Sequence, residues 1–407
     1  MNPRTLITLV AAALVTTGAF AQHPLNKNLT NRESTFSELN DMEVHINEFM
    51  RRSELKGLSI SVMRNDSLLF SKGFGIEDNG REMRPGTIMR VASVSKLLTA
   101  AGIMLLQDMG MLDIKDRVFG PDGIIDEFDS VITDHDIYAI TVENLLRHEG
   151  GFDEGLCDPM FSSLQMKELY HLDRVPGPTD IARCVLSESL AFYPGTSQSY
   201  SNFGYYLLSL VIEKVTGQKY EGWMQKNLLH PAGCYDMHIA GNYYEDRYPG
   251  EARYYMPAGS RETREYNDSK RMVERCYGGN DITGLSGAGA WVASTPELAR
   301  FVASIDGIPG VKDIISNESV MEMTCYFDRN TYSLGWLDTN PENGWIRTGT
   351  LAATHALIKY YPDGECWIAL TNSGHYRGAR FSSSGLGYLC DSCHEEYSYL
   401  LPSRNLF

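Results

Sequence analysis

Hydrophobic and polar positions change their period several times along the chain, and each change marks an element. From Glu38 to Arg52, Leu39, Met42, Ile46 and Phe49 recur at helical spacing and predict an amphipathic helix. Gly57-Leu58-Ser59-Ile60-Ser61-Val62 then alternates, Asn65-Asp66 turns the chain, and Leu68-Leu69-Phe70 returns, which predicts a hairpin. Near the other end, His355 to Tyr361, the turn Pro362-Asp363-Gly364 and Cys366 to Leu370 predict a second hairpin. The middle is mainly helical, most clearly over Lys96 to Asp108, Gly204 to Val215 and Pro296 to Ser304. Tyr243 to Asn280 is tyrosine-rich and charged, has no clear period, and reads as a long excursion of the kind that forms lids. Strands at both ends with helices between them predict an α+β fold. It would have an antiparallel sheet formed from both chain ends and flanked by helices, plus a mainly helical lobe.

The N-terminus follows a different rule. Arg4 precedes the apolar run Leu6 to Val15, and Thr16-Thr17-Gly18 leads to Ala19-Phe20-Ala21. This is the layout of a secretory signal peptide with cleavage near Ala21/Gln22. The run is roughly half the ~20 residues needed to span a bilayer, and no later segment has that length. The expected organisation is a signal peptide over 1–21, a lead-in and helix over 22–50, a catalytic domain over 51–395 and a C-terminal tail over 396–407. The expected location is periplasmic or secreted. With 407 residues and 43% hydrophobic content the chain can bury a large core. Its formal net charge of −16, without a basic run, argues against nucleic acid or an anionic membrane surface as partner. All eight cysteines follow the signal segment. Cys390-x-x-Cys393 has no second C-x-x-C, so a local disulfide or free thiols are expected there rather than a metal or redox centre.

The candidate chemistry begins with an S-x-x-K pattern that occurs twice. Ser53-Glu54-Leu55-Lys56 lies in a polar connection before the first hairpin, whereas Ser93-Val94-Ser95-Lys96 opens a helix that is apolar nearly all round and therefore buried. Ser93 and Lys96 stand one turn apart at the N-terminus of that helix, where free amides and the helix dipole favour developing negative charge. An apolar setting favours a neutral lysine able to take a proton from a hydroxyl. Equally, Ser93 can simply cap the helix while Lys96 extends to solvent. Tyr200-Ser201-Asn202 follows Tyr193-Pro194-Gly195 and precedes another apolar helix. A tyrosine beside a lysine can relay a proton, and an asparagine amide can orient the lysine and bind a carbonyl. Arg347-Thr348-Gly349-Thr350 precedes the second hairpin and suits a substrate carboxylate and a close-approaching backbone.

Taken in this order, the three segments resemble the serine β-lactamases and penicillin-recognising (DD-peptidase) enzymes, with class C β-lactamase-related hydrolases as the nearest branch. Val91-Ala92-Ser93-Val94-Ser95-Lys96 matches the S-x-x-K box and Tyr200-Ser201-Asn202 matches Y-x-N. Arg347-Thr348-Gly349 stands where the family has K-T-G or H-T-G. Leu145-Leu146-Arg147-His148 and Gly287 to Ser294 resemble two supporting blocks, the first with a structural histidine. The resemblance implies a two-lobed β-lactamase/transpeptidase-like fold with no metal or other cofactor. It makes Ser93 the acylated nucleophile, Lys96 its general base and Tyr200 a partner in proton transfer. Asn202, Arg347, Thr348, Gly349 and Thr350 would bind substrate, with the Ser93 and Thr350 amides as oxyanion hole. The class A pattern is disfavoured, since Y-S-N replaces S-D-N and its glutamate loop has no match.

Arg347 departs from the family pattern because an arginine stays charged and cannot relay a proton. Ala353 likewise stands where a glycine is expected. The reading is an exported serine hydrolase acting on a small-molecule or peptide substrate: a D-amino-acid peptide, a short ester or a β-lactam. The alternatives are a true class C β-lactamase and a non-catalytic module that binds peptidoglycan or β-lactam. A pure binder has no need of a complete proton-handling set.

Overall fold

The computed structural model describes residues 25–153, 157–326, 332–374 and 383–407. The expected signal peptide, residues 1–21, lies outside them. The first hairpin pairs β1 (Gly57–Arg64) with β2 (Ser67–Asp78), and the two-residue β3 (Arg81–Glu82) continues the edge. The far end of the chain supplies β4 (Trp345–Leu351), β5 (Thr354–Tyr360) and β6 (Glu365–Thr371). The six strands form one antiparallel sheet in the order β3-β2-β1-β6-β5-β4. The chain ends meet at the β1–β6 pairing, where Ser61 is opposite Ile368. β4, which carries Arg347-Thr348-Gly349, is left on the outer edge.

Helix α1 (Asn40–Arg52) covers one face of the sheet, and the C-terminal helix Ser383–Tyr397 joins it there. Leu58, Ile60 and Val62 pack on that side with Met42 and Ile46 of α1 and with Leu389 and Cys393. The polar positions of the β1 alternation, Ser59 and Ser61, are buried as well. Both hydroxyls bond to Thr295, which opens the helix Thr295–Val302 on the inner face. A strand buried on both faces can keep polar residues only when their hydrogen bonds are made.

Two apolar helices form the heart of the second lobe. α2 (Ser95–Asp108) is buried along nearly its whole length and ends before Gly110, whose φ of +67° is the left-handed conformation glycine adopts freely. α3 (Asn202–Thr216) begins where the Ser201 hydroxyl accepts the Gly204 N–H and stops at left-handed Gly217. The excursion Tyr243 to Asn280 has little regular structure beyond a small hairpin, Thr263–Arg264 with Met272–Val273. Its base is tied down rather than loose. Buried Arg90 donates to the carbonyls of Gly241 (2.9 Å) and Cys276 (2.7 Å), and the Tyr254 hydroxyl accepts the Arg90 N–H. Among the described residues no helix is long and apolar enough to cross a membrane. Cys390 and Cys393 are buried free thiols, and burial raises both above the ordinary thiol value.

Candidate active site

Ser93 sits on the short turn that feeds α2. Its neighbours Ala92 and Val94 are buried while Ser93 itself is half-exposed, on the wall of a cavity of 860 Å³ between the sheet edge and the helical lobe. Ala92 holds φ +49°, a left-handed conformation that costs an alanine about 1 kcal/mol and lifts the next residue out of the turn. Arg347 fixes the turn from the sheet side by donating from Nε to the Ser93 carbonyl oxygen at 2.8 Å.

Lys96 is the second residue of α2 and is fully buried. Its Nζ donates to Asn202 Oδ1 (2.6 Å) and to the Ala288 carbonyl (2.7 Å), and reaches Ser93 Oγ at 3.4 Å. It also stands 4.8 Å from the centre of the Tyr200 ring. An amine or ammonium nitrogen at this place is met by oxygens of Asn202, Ala288 and Ser93, with the Tyr200 hydroxyl beside them. Buried away from water, the Lys96 amine relies on these hydrogen bonds rather than on hydration.

Tyr200 precedes the N-cap of α3. Its hydroxyl accepts from Arg347 at 3.0 Å, and it also shares hydrogen bonds with Lys96 and Ser93. Burial would raise the phenol, but the charges of Lys96 and Arg347 outweigh it and bring the value down to about 8. His148, buried beneath, stacks on the Tyr200 ring at 4.4 Å and accepts the Ser201 N–H at Nδ1. Burial, with the nearby charges of Lys96 and Arg347, holds His148 well below its ordinary value, so it serves as a neutral platform.

The fourth wall is β4. Ile346 trades hydrogen bonds with the segment beside it, accepting from Leu337 N–H and donating to the Asp338 carbonyl (both 2.9 Å), on the side away from β5. Amide direction repeats every second residue along a strand, so Thr348 and Thr350 also turn their N–H and C=O groups outward, into the cavity. Gly349 permits the approach. A Cβ there would stand 2.2 Å from the Val91 carbonyl oxygen and 2.9 Å from the Ser93 nitrogen. Only a glycine lets the strand lie this close to the turn, and Ser93 and Thr350 both line the cavity beside that contact.

Ser93, Tyr200, Asn202, Arg347, Thr348, Gly349 and Thr350 thus line one cavity, with Lys96 beneath its floor. Ser53 caps the end of α1, apart from them. Two further partners join the site, and only Ala288 falls in a segment that the resemblance covers. Asp158 accepts the Met160 N–H with one oxygen and Asn202 Nδ2 with the other at 2.6 Å, which sets the direction of the Asn202 amide. The Ala288 carbonyl is aimed at Lys96 by a strained backbone at Ser286 (φ 44°, ψ −121°). Among the described residues no cluster of histidine, cysteine or carboxylate side chains is arranged to hold a metal ion.

A family model described as Beta-lactamase matches residues 42–380. The chain belongs to the β-lactamase family. Penicillin-binding protein 4* of Bacillus subtilis (strain 168) is 25% identical over 316 residues, which cover 75% of this chain and 65% of that protein. The mitochondrial serine beta-lactamase-like protein LACTB of Homo sapiens is 23% identical, over 81% of this chain and 68% of its own length. Among solved structures, the D-amino acid amidase from Ochrobactrum anthropi SV3, complexed with L-phenylalanine amide, aligns with a TM-score of 0.68 at 19% identity. That alignment covers 90% of this chain and 99% of the amidase. The octameric penicillin-binding protein homologue from Pyrococcus abyssi aligns at 0.64 and 21% identity, over 90% of this β-lactamase family member and 78% of its counterpart. At such identities the structural likeness shows the fold: the antiparallel sheet from both chain ends and the helical lobe are those of β-lactamase and penicillin-binding proteins.

Proposed function

We propose that this protein is a serine hydrolase that forms an acyl-enzyme on Ser93 and then hydrolyses it. The observation that carries the reading is the half-exposed Ser93 hydroxyl with two titratable groups, Lys96 and Tyr200, directed at it from one side. The substrate carbonyl would lie with its oxygen toward the Ser93 and Thr350 amides, where the developing negative charge meets preorganised donors. Tyr200, as phenolate, takes the Ser93 proton as Oγ attacks, because both cations that lower its value remain charged beside it. Lys96 stays an ammonium, orients Ser93 and Asn202, and balances the phenolate. Collapse of the tetrahedral intermediate passes the proton from Tyr200 to the leaving nitrogen or oxygen, and a water then attacks the ester by the same route.

Arg347 takes its place in this scheme as a fixed charge. Two of its nitrogens are engaged inside the protein, so its part is to poise Tyr200 and hold the Ser93 turn. The edge strand favours a peptide-like substrate. Thr348 and Thr350 offer it a row of backbone groups of the kind that binds extended peptides. The amidase and penicillin-binding relatives agree with a D-amino-acid peptide or amide as substrate class. The signal-like N-terminus supports export, with the enzyme acting outside the cytoplasm.

A fluorophosphonate or fluorescent penicillin tests the assignment. Labelling of the wild type that disappears in Ser93→Ala supports it, and labelling that survives the change overturns it. Turnover of a chromogenic ester without turnover of a chromogenic cephalosporin separates peptidase or esterase from class C β-lactamase.

A further inference from the structure

The cleft continues past the catalytic cavity. A second chamber of 350 Å³ adjoins it, and Phe161, Gln165, Arg275 and Asn280 line both. The chamber lies between the helix Ser163–Leu169 and the hairpin of the long excursion. Its charges come in both signs: Arg264 and Arg275 against Glu168 and Asp281. That wall suits a neutral, dipolar group better than an ion of either sign.

Most polar groups around the chamber are already bonded within the protein. Asp281 accepts from Asn242 Nδ2 and from the Gly284 N–H, both at 3.0 Å. Arg264 pairs with Asp268 at 2.6 Å, and the Tyr266 hydroxyl accepts from Asn242 at 2.9 Å. Asn280 differs. Its side chain is 6% exposed, it lies at the junction of the two chambers, and no described residue donates to or accepts from its amide. Its amide therefore opens onto the cavity, where water or a ligand rather than the protein completes its hydrogen bonds. With two donors and an acceptor on one plane, it complements a peptide group.

We propose that Asn280 reads a peptide unit of the acyl donor that lies beyond the residue being cleaved, so that the enzyme selects peptides over single-residue esters and amides. This rests on Ser93 being the nucleophile. The acylated residue and its own amide fill the cavity between Ser93 and β4, and the next peptide unit toward the N-terminus reaches the junction, where Asn280 accepts its N–H or donates to its carbonyl. The following side chain enters the second chamber.

The test compares kcat/KM for acetyl-D-alanine p-nitrophenyl ester with that for the same ester lengthened by one residue, acetyl-L-alanyl-D-alanine p-nitrophenyl ester. Wild type should favour the longer ester about tenfold, the effect of one buried hydrogen bond made only by that substrate. Asn280→Ala should bring the ratio close to one. Asn280→Leu, which keeps the size but removes donors and acceptor alike, should lower it as well, and it serves if the alanine variant fails to fold. Fluorophosphonate labelling of Ser93 reports that a variant has folded. A wild-type ratio near one, or a ratio unchanged in the folded variants, overturns the proposal. Absence of labelling in wild type instead overturns the hydrolase reading, and this inference with it.

Discussion

A guanidinium nitrogen of Arg347 lies 3.0 Å from the Tyr200 hydroxyl, and the Nε of the same side chain holds the Ser93 carbonyl oxygen at 2.8 Å. One residue of the edge strand therefore bears on both the charge state of Tyr200, the proposed base, and the backbone position of Ser93, the proposed nucleophile. With Tyr200 brought to about 8, the phenolate fraction grows through that pH. The kcat/KM of a chromogenic ester should rise on a limb centred there. Arg347→Ala removes one of the charges that lower the phenol, so the limb should move to higher pH. A limb that stays in place would show that another group carries the titration.

Tyr200→Phe keeps the ring on His148 and removes only the hydroxyl. Loss of a positioned base should lower kcat/KM by about 10²–10⁴-fold. The thermal midpoint should change little, which is read by a melt on the same sample. A variant with near-normal turnover would return the role of base to Lys96.

Gly349→Ala places a methyl where the Val91 carbonyl already stands, 2.2 Å away. The strand must retreat from the Ser93 turn, and the Thr350 amide moves with it. Losing one oxyanion donor typically lowers kcat by about 10²–10³-fold. Acylation measured by burst kinetics should slow by that order. An unaltered burst would mean that the strand does not contribute to the hole.

Asp158→Ala frees the Asn202 amide to turn over. A hydrogen bond to a charged group contributes about 1.5–3 kcal/mol, and its loss should appear as a roughly tenfold or larger fall in acylation rate. Asp158→Asn, which keeps an acceptor, should recover part of the loss. Equal rates in all three proteins would detach Asp158 from the site.

The thermal midpoint should depend on pH through a site far from the chemistry. Asp306 is buried, accepts from the Ile308 N–H and the Tyr360 hydroxyl, and has the Asp66 carboxylate beside it. Burial, and next to it the charge of Asp66, raise Asp306 well above its ordinary 3.8. The folded protein thus binds a proton that the unfolded chain releases, so stability falls as pH climbs above 3.8 and levels off past the folded value. Asp306→Asn should flatten this decline and raise the midpoint at alkaline pH relative to wild type. Part of the slope should remain, because burial also raises Glu297 to about 7.

Long apolar patterns made much of the fold legible. α2 and α3 are buried nearly all round, and both hairpins announce themselves by alternation and turn residues. The helix Ser383–Tyr397 was missed. Its buried Leu386, Leu389, Cys390 and Cys393 do follow helical spacing, but glycines at 385 and 387 and a polar opening conceal it. β4 was legible only as a motif, because its charged Arg347 is 1% exposed and breaks the apolar rule for a strand. In the site, the offset of Ser93 from Lys96 is readable because the two are only three residues apart, on the turn that feeds α2 and on the first turn of α2 itself. Asp158 and Asn280 were not readable. Each meets its partner or cavity far away in the chain, and no local pattern records such a meeting.

The near-contact of Gly349 with the Ser93 turn has a consequence for how the protein comes to be active. The two amides that would receive the oxyanion belong to segments that meet only after both ends of the chain have joined in one sheet and the helical lobe has docked against its edge. A nascent or partly assembled chain carries a serine and a lysine but no place for the charge. Acylation of Ser93 is then a gauge of complete folding, and a hydrolase built this way stays silent until its last strand is in register.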